Sequence, residues 1–186
     1  VAASLEMGAP PPEARIDALS RLQQVGYPVR VRLSPIVPIS GWRDDYAQLV
    51  AQLFAAAEPD MVTLWTLSMV DYEDLEAIVP AATLDGDVRL RAQLAADRMR
   101  GLKGAPFPAV QRVAIYRHIA ELVRAHSVDA RLALCLETPQ VWDALAPWLG
   151  CEDGGEMLCN CGPRAIPAAC RQPRRRRQPS LVPADK

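Results

Sequence analysis

Strand-like segments alternate with helix-like segments along most of this 186-residue chain, and this alternation restricts the possible fold more than any other feature. Residues 29–33 alternate apolar with polar side chains, residues 61–67 form a short apolar run, and residues 131–137 form a third strand-like segment. Between them lie segments whose apolar residues recur three or four positions apart, which is the spacing of amphipathic helices. The predicted order is α-β-α-β-α-α-β-α, so we expect an α/β fold with parallel strands and crossover helices.

The predicted α/β unit covers residues 1–150 and is followed by two short segments of different composition. Residues 151–163 are rich in cysteine and glycine. Residues 164–186 contain six Arg and one Lys against one Asp, a net charge of +6, so residues 1–163 carry −7 of the whole chain's −1. A short polar segment with such a charge buries too little apolar surface to fold, so we expect a disordered basic tail.

Several classes of protein are excluded by composition and motif. The apolar runs fall well short of the ~20 residues that cross a bilayer, so no membrane partner is expected. The sequence contains no nucleotide-binding glycine loop and no hydrolase signature. Five cysteines, an odd number without a secretory pattern, favour a reducing compartment, so a cytoplasmic location is predicted.

An ordered set of short motifs gives the chain a family resemblance. The N-terminal motifs are Glu6–Pro10, Glu13–Arg15, Gly26–Tyr27–Pro28, Pro35–Ile36 with Pro38, and Gly41–Trp42 with Tyr46 downstream. The C-terminal motifs are VAIYRHIAEL at 113–122 and LCLETPQVW at 134–142. Taken together over roughly residues 5–149, this set resembles the spore photoproduct lyase family of radical S-adenosylmethionine enzymes.

The resemblance implies the C-terminal half of a partial (β/α) barrel. In that family the N-terminal half carries a CxxxCxxC loop, which holds a [4Fe–4S] cluster whose open iron takes S-adenosylmethionine. Reductive cleavage of this cofactor yields a 5′-deoxyadenosyl radical, and the type member repairs a thymine–thymine lesion in DNA. The full-length parent would therefore use both cofactors, act on DNA, and require the N-terminal barrel half.

Two departures from the family pattern limit what this chain is expected to do alone. It has no CxxxCxxC, and its first cysteine is Cys135, so neither a catalytic cluster nor a bound cofactor is expected for this chain by itself. The family's lyases also carry an Arg–Tyr pair before the last long helix. The resemblance matches Arg98 to that arginine as a substrate contact, whereas Met99 replaces the tyrosine, which puts the thymine-dimer substrate in doubt.

Three charged residues on the predicted strands are candidate cofactor contacts. Arg30 and Arg32 alternate away from the apolar residues, and inside a barrel they could grip the carboxylate of the cofactor or a phosphate of the substrate. The alternative is a solvated sheet face or an ion pair with helix acids. Glu137 is expected on the face of Ala133 and Cys135, pointing into the barrel at the strand end, where ligands bind. The alternative is a carboxylate that favours the start of the following helix.

A second hypothesis assigns the chain a different class of function, that of a stand-alone α/β binding module. Cys151, Cys159, Cys161 and Cys170 lie beside glycines, as expected for zinc or iron–sulfur ligands, although the spacing also fits free thiols. The arginines of residues 171–177 could bind nucleic acid through its phosphates.

Overall fold

The computed structural model describes residue 6, residues 8–80 and residues 82–149 of the chain. Its elements follow the predicted order, except that three helices rather than two lie between the second and third strands. The helices are α1 (Pro12–Gln24), α2 (Trp42–Ala56), α3 (Tyr72–Ile78), α4 (Gly86–Met99), α5 (Ala109–His126) and α6 (Pro139–Leu149). The strands are β1 (Arg30–Ile36), β2 (Met61–Thr66) and β3 (Arg131–Leu134).

The three strands form one parallel sheet in the order β1-β2-β3. In register, Arg32 of β1 lies beside Thr63 of β2, which lies beside Ala133 of β3. The predicted α/β class with parallel strands and crossover helices is confirmed for the described residues. Within them the sheet is open, and β1 and β3 are its two edges.

One face of the sheet holds the main apolar core. Alternate strand residues contact apolar side chains of α2, α5 and α6, because successive strand residues point to opposite faces. The strand residues of this core are Val31, Leu33, Ile36, Val62, Leu64, Leu132 and Leu134. A second apolar cluster joins α3 and α4 through Leu75, Val88 and Phe107, beyond the carboxyl ends of the strands.

The strand boundaries differ from prediction at two points. The alternation that predicts the first strand ends at residue 33, yet β1 continues past Pro35 to Ile36 through an irregularity in the register with β2 between Leu33 and Ile36. An edge strand tolerates proline because one side of the strand needs no hydrogen-bond donor. The third strand ends at Leu134, three residues before Glu137.

None of the helices in the described ranges combines the length and the apolar character needed to cross a membrane.

Candidate functional site

Polar side chains gather at the carboxyl ends of β2 and β3, which is the edge where α/β proteins place ligands. Arg112 and Tyr116 lie four residues apart on α5 and so project from the same side of that helix. Thr66 is the last residue of β2, and Glu137 lies in the loop between β3 and α6. These four residues are called the strand-end network below.

The network centres on a buried ion pair. Arg112 donates from Nε to Oε1 of Glu137 at 2.9 Å and from Nη2 to Oε2 at 3.1 Å, a two-point contact between guanidinium and carboxylate. Both side chains are only 3% exposed. The Tyr116 hydroxyl donates to Glu137 Oε1 at 2.7 Å and accepts the Thr66 backbone N–H at 3.0 Å. Each charged group is therefore paired and hydrogen-bonded, as burial of charge requires.

The loop before α5 is shaped around the same guanidinium. Arg112 Nη1 donates to the carbonyl of Phe107 at 2.5 Å and to that of Gly104 at 3.3 Å. A Cβ atom at Gly104 would overlap the guanidinium of Arg112, so this position accommodates the network only without a side chain. The network thus ties two loops and α5 to the end of the sheet.

Burial and the neighbouring charge of Glu137 keep the hydroxyl of Tyr116 protonated. Its phenol lies away from water and beside the Glu137 carboxylate, and both effects raise its pKa well above the ordinary value. Hydrogen bonds from Thr66 oppose this rise without overcoming it. Tyr116 therefore stays a neutral hydrogen-bond donor to Glu137, and it cannot act as a proton acceptor near neutral pH.

Glu137 does not share a face with Ala133 and Cys135, contrary to the expectation from strand alternation. Leu136 has φ of 56°, a left-handed conformation that ends the extended backbone and turns the following residue. Glu137 consequently meets Arg112 and Tyr116 of α5, on the side of the sheet that holds the main core. It also accepts the backbone N–H of Thr138 at 3.3 Å, so it lies at the start of α6, as the alternative interpretation held.

Arg30 and Arg32 lie on the opposite face of the sheet from the main core. Arg30 pairs with Asp60, its Nε lying 3.2 Å from Oδ1, and Asp60 precedes β2 rather than belonging to a helix. Arg32 is exposed, and its Nη2 lies 3.3 Å from the Sγ atom of Cys135. Thr63, which lies beside Arg32 in register, is buried, and its hydroxyl has no hydrogen-bond partner in the described part of the chain.

The other predicted site residues fall elsewhere. Arg98 is exposed on α4, away from the strand-end network, in a groove shared with Arg43 and Arg91. The four cysteines at 151, 159, 161 and 170, like the segments 151–163 and 164–186, lie outside the described residues, so the metal and nucleic-acid predictions stay predictions. Among residues 8–80 and 82–149, no group of three or more His, Cys, Asp or Glu side chains could hold a metal ion.

The sequence interpretation missed Arg112 and Tyr116. Arg112 lies three positions before Ile115, on the buried stripe of α5 that continues through Ile119. An arginine on an otherwise apolar stripe requires a buried partner, because an unpaired charge there is strongly unfavourable. The sequence therefore indicates that Arg112 needs a buried partner. It does not indicate which carboxylate pairs with Arg112.

Comparison with known proteins finds no matching protein-family model, no matching curated protein and no matching solved structure.

Proposed function

We propose that this chain is the C-terminal part of a (β/α) barrel that belongs to a radical S-adenosylmethionine enzyme similar to the spore photoproduct lyases. The observation that carries the proposal is the open edge of β1. Within the described residues the parallel sheet has three strands, fewer than a barrel needs, and a groove of about 710 Å³ runs beside β1 between α1 and α2. We call it the β1-edge groove.

The walls of the β1-edge groove fit a further βα unit. Its apolar lining comes from Ile16, Leu19 and Leu22 of α1, Leu33 of β1, and Leu49 and Leu53 of α2. In βα architectures, a helix covers both the strand before it and the strand after it. A strand preceding α1 would therefore lie in this groove, with α1 above it and β1 beside it.

Alternate residues of β1 direct their backbone groups away from β2, toward the side where such a strand would lie. The Asp60 N–H donates to the Val29 carbonyl, so residues 29, 31 and 33 turn their backbone groups toward β2. Alternate residues of a strand in a parallel sheet bond to opposite neighbours. Arg32 therefore turns its N–H and C=O toward the open edge.

The residues present fit part of the expected cofactor chemistry. A [4Fe–4S] cluster does not fit the described residues, whose single cysteine is Cys135, so the cluster would have to belong to the other barrel half. The exposed Arg32 and the unpartnered Thr63 hydroxyl, on the face opposite the main core, suit an anionic group such as the carboxylate of S-adenosylmethionine. Glu137 does not suit this role, since both its oxygens are engaged by Arg112.

Within this proposal the chain's own residues have distinct tasks. Arg32 binds and orients an anionic group of the cofactor or substrate on the barrel side of the sheet. The strand-end network acts from the helix side, where Arg112 and Glu137 hold the loop before α5 and the loop after β3 in one arrangement. Positioning by buried charge pairs is effective because each partner is costly to leave unpaired.

The coding DNA directly upstream of Val1 gives the first test. A continuous reading frame that contains CxxxCxxC is expected, and a frame without it contradicts the proposal. Stoichiometric zinc or iron in the purified chain alone, or nucleic-acid binding that weakens steeply with salt, would instead favour the stand-alone binding module.

Co-expression of the 186-residue chain with that upstream segment tests the edge itself. Arg32→Pro removes the backbone N–H that faces the open edge, whereas the matched variant Arg32→Ala removes the same side chain and keeps the N–H. We expect Arg32→Ala to co-purify with the upstream segment and Arg32→Pro to lose it, at similar thermal stability of the chain alone. Equal capture of both variants would contradict pairing at β1.

A further inference from the structure

A second groove, of about 430 Å³, lies between α4 and the first turns of α2 and α5. Both α2 and α5 begin at the carboxyl ends of the strands. The groove lies outside the strand ends and is separate from the strand-end network, whose four residues do not line it. Its lining includes Arg43, Arg91 and Arg98, and we call it the Arg98 groove. Its volume lies within the range of small-molecule sites, about 300–1,000 Å³.

The charges that line the groove favour an anion. Asp87, Arg91 and Arg98 recur at i, i+4 and i+11 along one side of α4, and Arg43 comes from α2. Arg91 pairs with Asp87 at 2.8 Å. Arg43 and Arg98 have no carboxylate partner in the described part of the chain, so the groove carries a local charge of about +2 in a body that is acidic overall.

Two buried polar atoms on the groove-lining residues lack partners. Trp42 is 1% exposed and Gln111 is 6% exposed. Neither the Trp42 Nε1–H donor nor the Gln111 Oε1 acceptor has a hydrogen-bond partner among the described residues. The Gln111 amide is held in place, since its Nε2 donates to the Val88 carbonyl at 2.8 Å. Such atoms are costly to bury unpaired, and both belong to side chains that line the groove, so they point to a ligand that supplies the missing bonds.

The N-terminus of α5 adds to the preference for negative charge, whereas Asp44 and Asp45 already occupy the first turn of α2. α2 has 15 residues and α5 has 18, and neither has a side-chain hydrogen bond at its N-cap, Gly41 or Pro108. The first turns of such helices carry partial positive charge and backbone N–H groups without helical partners. This feature only reinforces the arginines and the two unpartnered atoms.

The rim of the groove is apolar. Leu94 is 73% exposed and Val110 is 79% exposed, on the two helices that face each other across the groove. The Arg43 guanidinium lies 4.5 Å from the centre of the Trp42 ring, so this arginine rests on an aromatic surface. An inorganic anion alone would leave both aliphatic side chains in water.

We propose that the Arg98 groove binds a small organic phosphate, in which a phosphate group is attached to an apolar body. The phosphate oxygens would accept from Arg43 and Arg98, since planar guanidinium groups match phosphate geometry. A further oxygen would accept from Trp42 Nε1, and a protonated oxygen would donate to Gln111 Oε1. The apolar body would cover Leu94 and Val110. This site depends neither on the barrel nor on the upstream half.

The test uses the full 186-residue chain, labelled with ¹⁵N, and phenyl phosphate as the probe. The Trp42 indole N–H gives its own resonance, and the indoles of Trp65, Trp142 and Trp148 serve as internal controls. We expect phenyl phosphate to shift the Trp42 indole resonance in a saturable way, and benzyl alcohol to leave it unchanged. A Trp42 shift that is lost in the groove variants Arg43→Ala and Arg98→Ala distinguishes binding in the groove from phosphate held by the arginines at 171–177.

Arginine variants complete the test. Arg98→Ala and Arg43→Ala are each expected to weaken the binding of phenyl phosphate about tenfold, because each removes a charge-assisted hydrogen bond. Arg117→Ala is the matched control, since Arg117 is equally solvent-accessible on α5 but lies outside the groove. An unmoved Trp42 resonance at saturating probe, an equal loss in Arg117→Ala, or equally tight binding of inorganic phosphate would each overturn the proposal.

Discussion

Helices α1 and α5 each show an apolar stripe in the sequence, yet they are buried to very different extents in the structure. Seven residues of α5 are buried, whereas none of α1 is, and Leu22 of α1 is 47% exposed. α5 packs on the sheet between α2 and α6, and the described chain gives α1 a neighbour on one side only, α2. An apolar stripe therefore predicts that a helix packs against another part of the protein. The described residues provide that packing for α5 but only partly for α1.

The largest expected effect tests how firmly α5 is held by the strand-end network. Glu137→Ala leaves the Arg112 guanidinium buried without its carboxylate, so the free energy of unfolding should fall by about 3–5 kcal/mol. Urea denaturation measures this loss. The control is Glu121→Ala, whose ion pair with Arg117 is exposed and should be worth under about 1 kcal/mol. Similar losses in the two variants would contradict a structural role for the network.

The contrast between the two helices is tested directly by one matched pair of variants. Ile119→Ala opens a cavity under α5 and should cost about 2–5 kcal/mol. Ile16→Ala removes the same atoms from α1, which is only partly covered, and should cost under about 1 kcal/mol. If the upstream segment fills the β1-edge groove, the cost of Ile16→Ala should rise when that segment is present. A large cost of Ile16→Ala in the chain alone would contradict an open groove.

Gly104→Ala tests the fit of the loop around Arg112. The new Cβ overlaps the guanidinium, and the displaced loop should cost about 1–3 kcal/mol in thermal or urea unfolding. Gly86→Ala is the control, because a Cβ there meets no atom within 4 Å. In an Arg112→Met background the cost of Gly104→Ala should largely disappear, since the overlapping group is absent. A cost that persists in that background would show that another contact is responsible.

The smallest effect concerns the proton on Tyr116. Tyr116→Phe should lower the free energy of unfolding by about 1 kcal/mol near neutral pH, through the hydrogen bonds to Glu137 and Thr66. The pKa of Tyr116 is higher in the folded chain than in the unfolded chain, where it is about 10. The contribution of Tyr116 to the free energy of unfolding is therefore fully present below about pH 10 and decreases as the pH rises above that value.

The comparison of wild type with Tyr116→Phe isolates this group. Burial also raises the pKa of Tyr46, to about 12, but Tyr46 is present in both proteins and cancels in the difference. Urea unfolding between pH 8 and pH 11 should show a smaller alkaline loss in Tyr116→Phe. Tyr27→Phe, at an exposed position, should behave as wild type, and an unchanged alkaline loss in Tyr116→Phe would contradict the assignment.

Much of the fold follows from local pattern. The third strand and the helix after Thr138 were both expected from short-range periodicity, and both are present. The strand-end network was not expected, because it joins Arg112 to a carboxylate 25 residues away. The prediction that Glu137 shares a face with Ala133 and Cys135 was wrong. Strand residues alternate between faces only while the backbone is extended, and the left-handed conformation of Leu136 ends the extended segment.

The sequence by itself determined the order of helices and strands, the parallel sheet and the acidic body with its basic end, because periodicity and charge are properties of neighbouring residues. Only the tertiary structure decided which polar groups meet. Burial makes an unpaired charge too costly, so Arg112, Glu137 and Tyr116 are paired. Trp42 Nε1 and Gln111 Oε1, on side chains that line the Arg98 groove, are left without a hydrogen-bond partner among the described residues. Within those residues, the tertiary structure also leaves α1 only partly covered and the edge of β1 without a neighbouring strand.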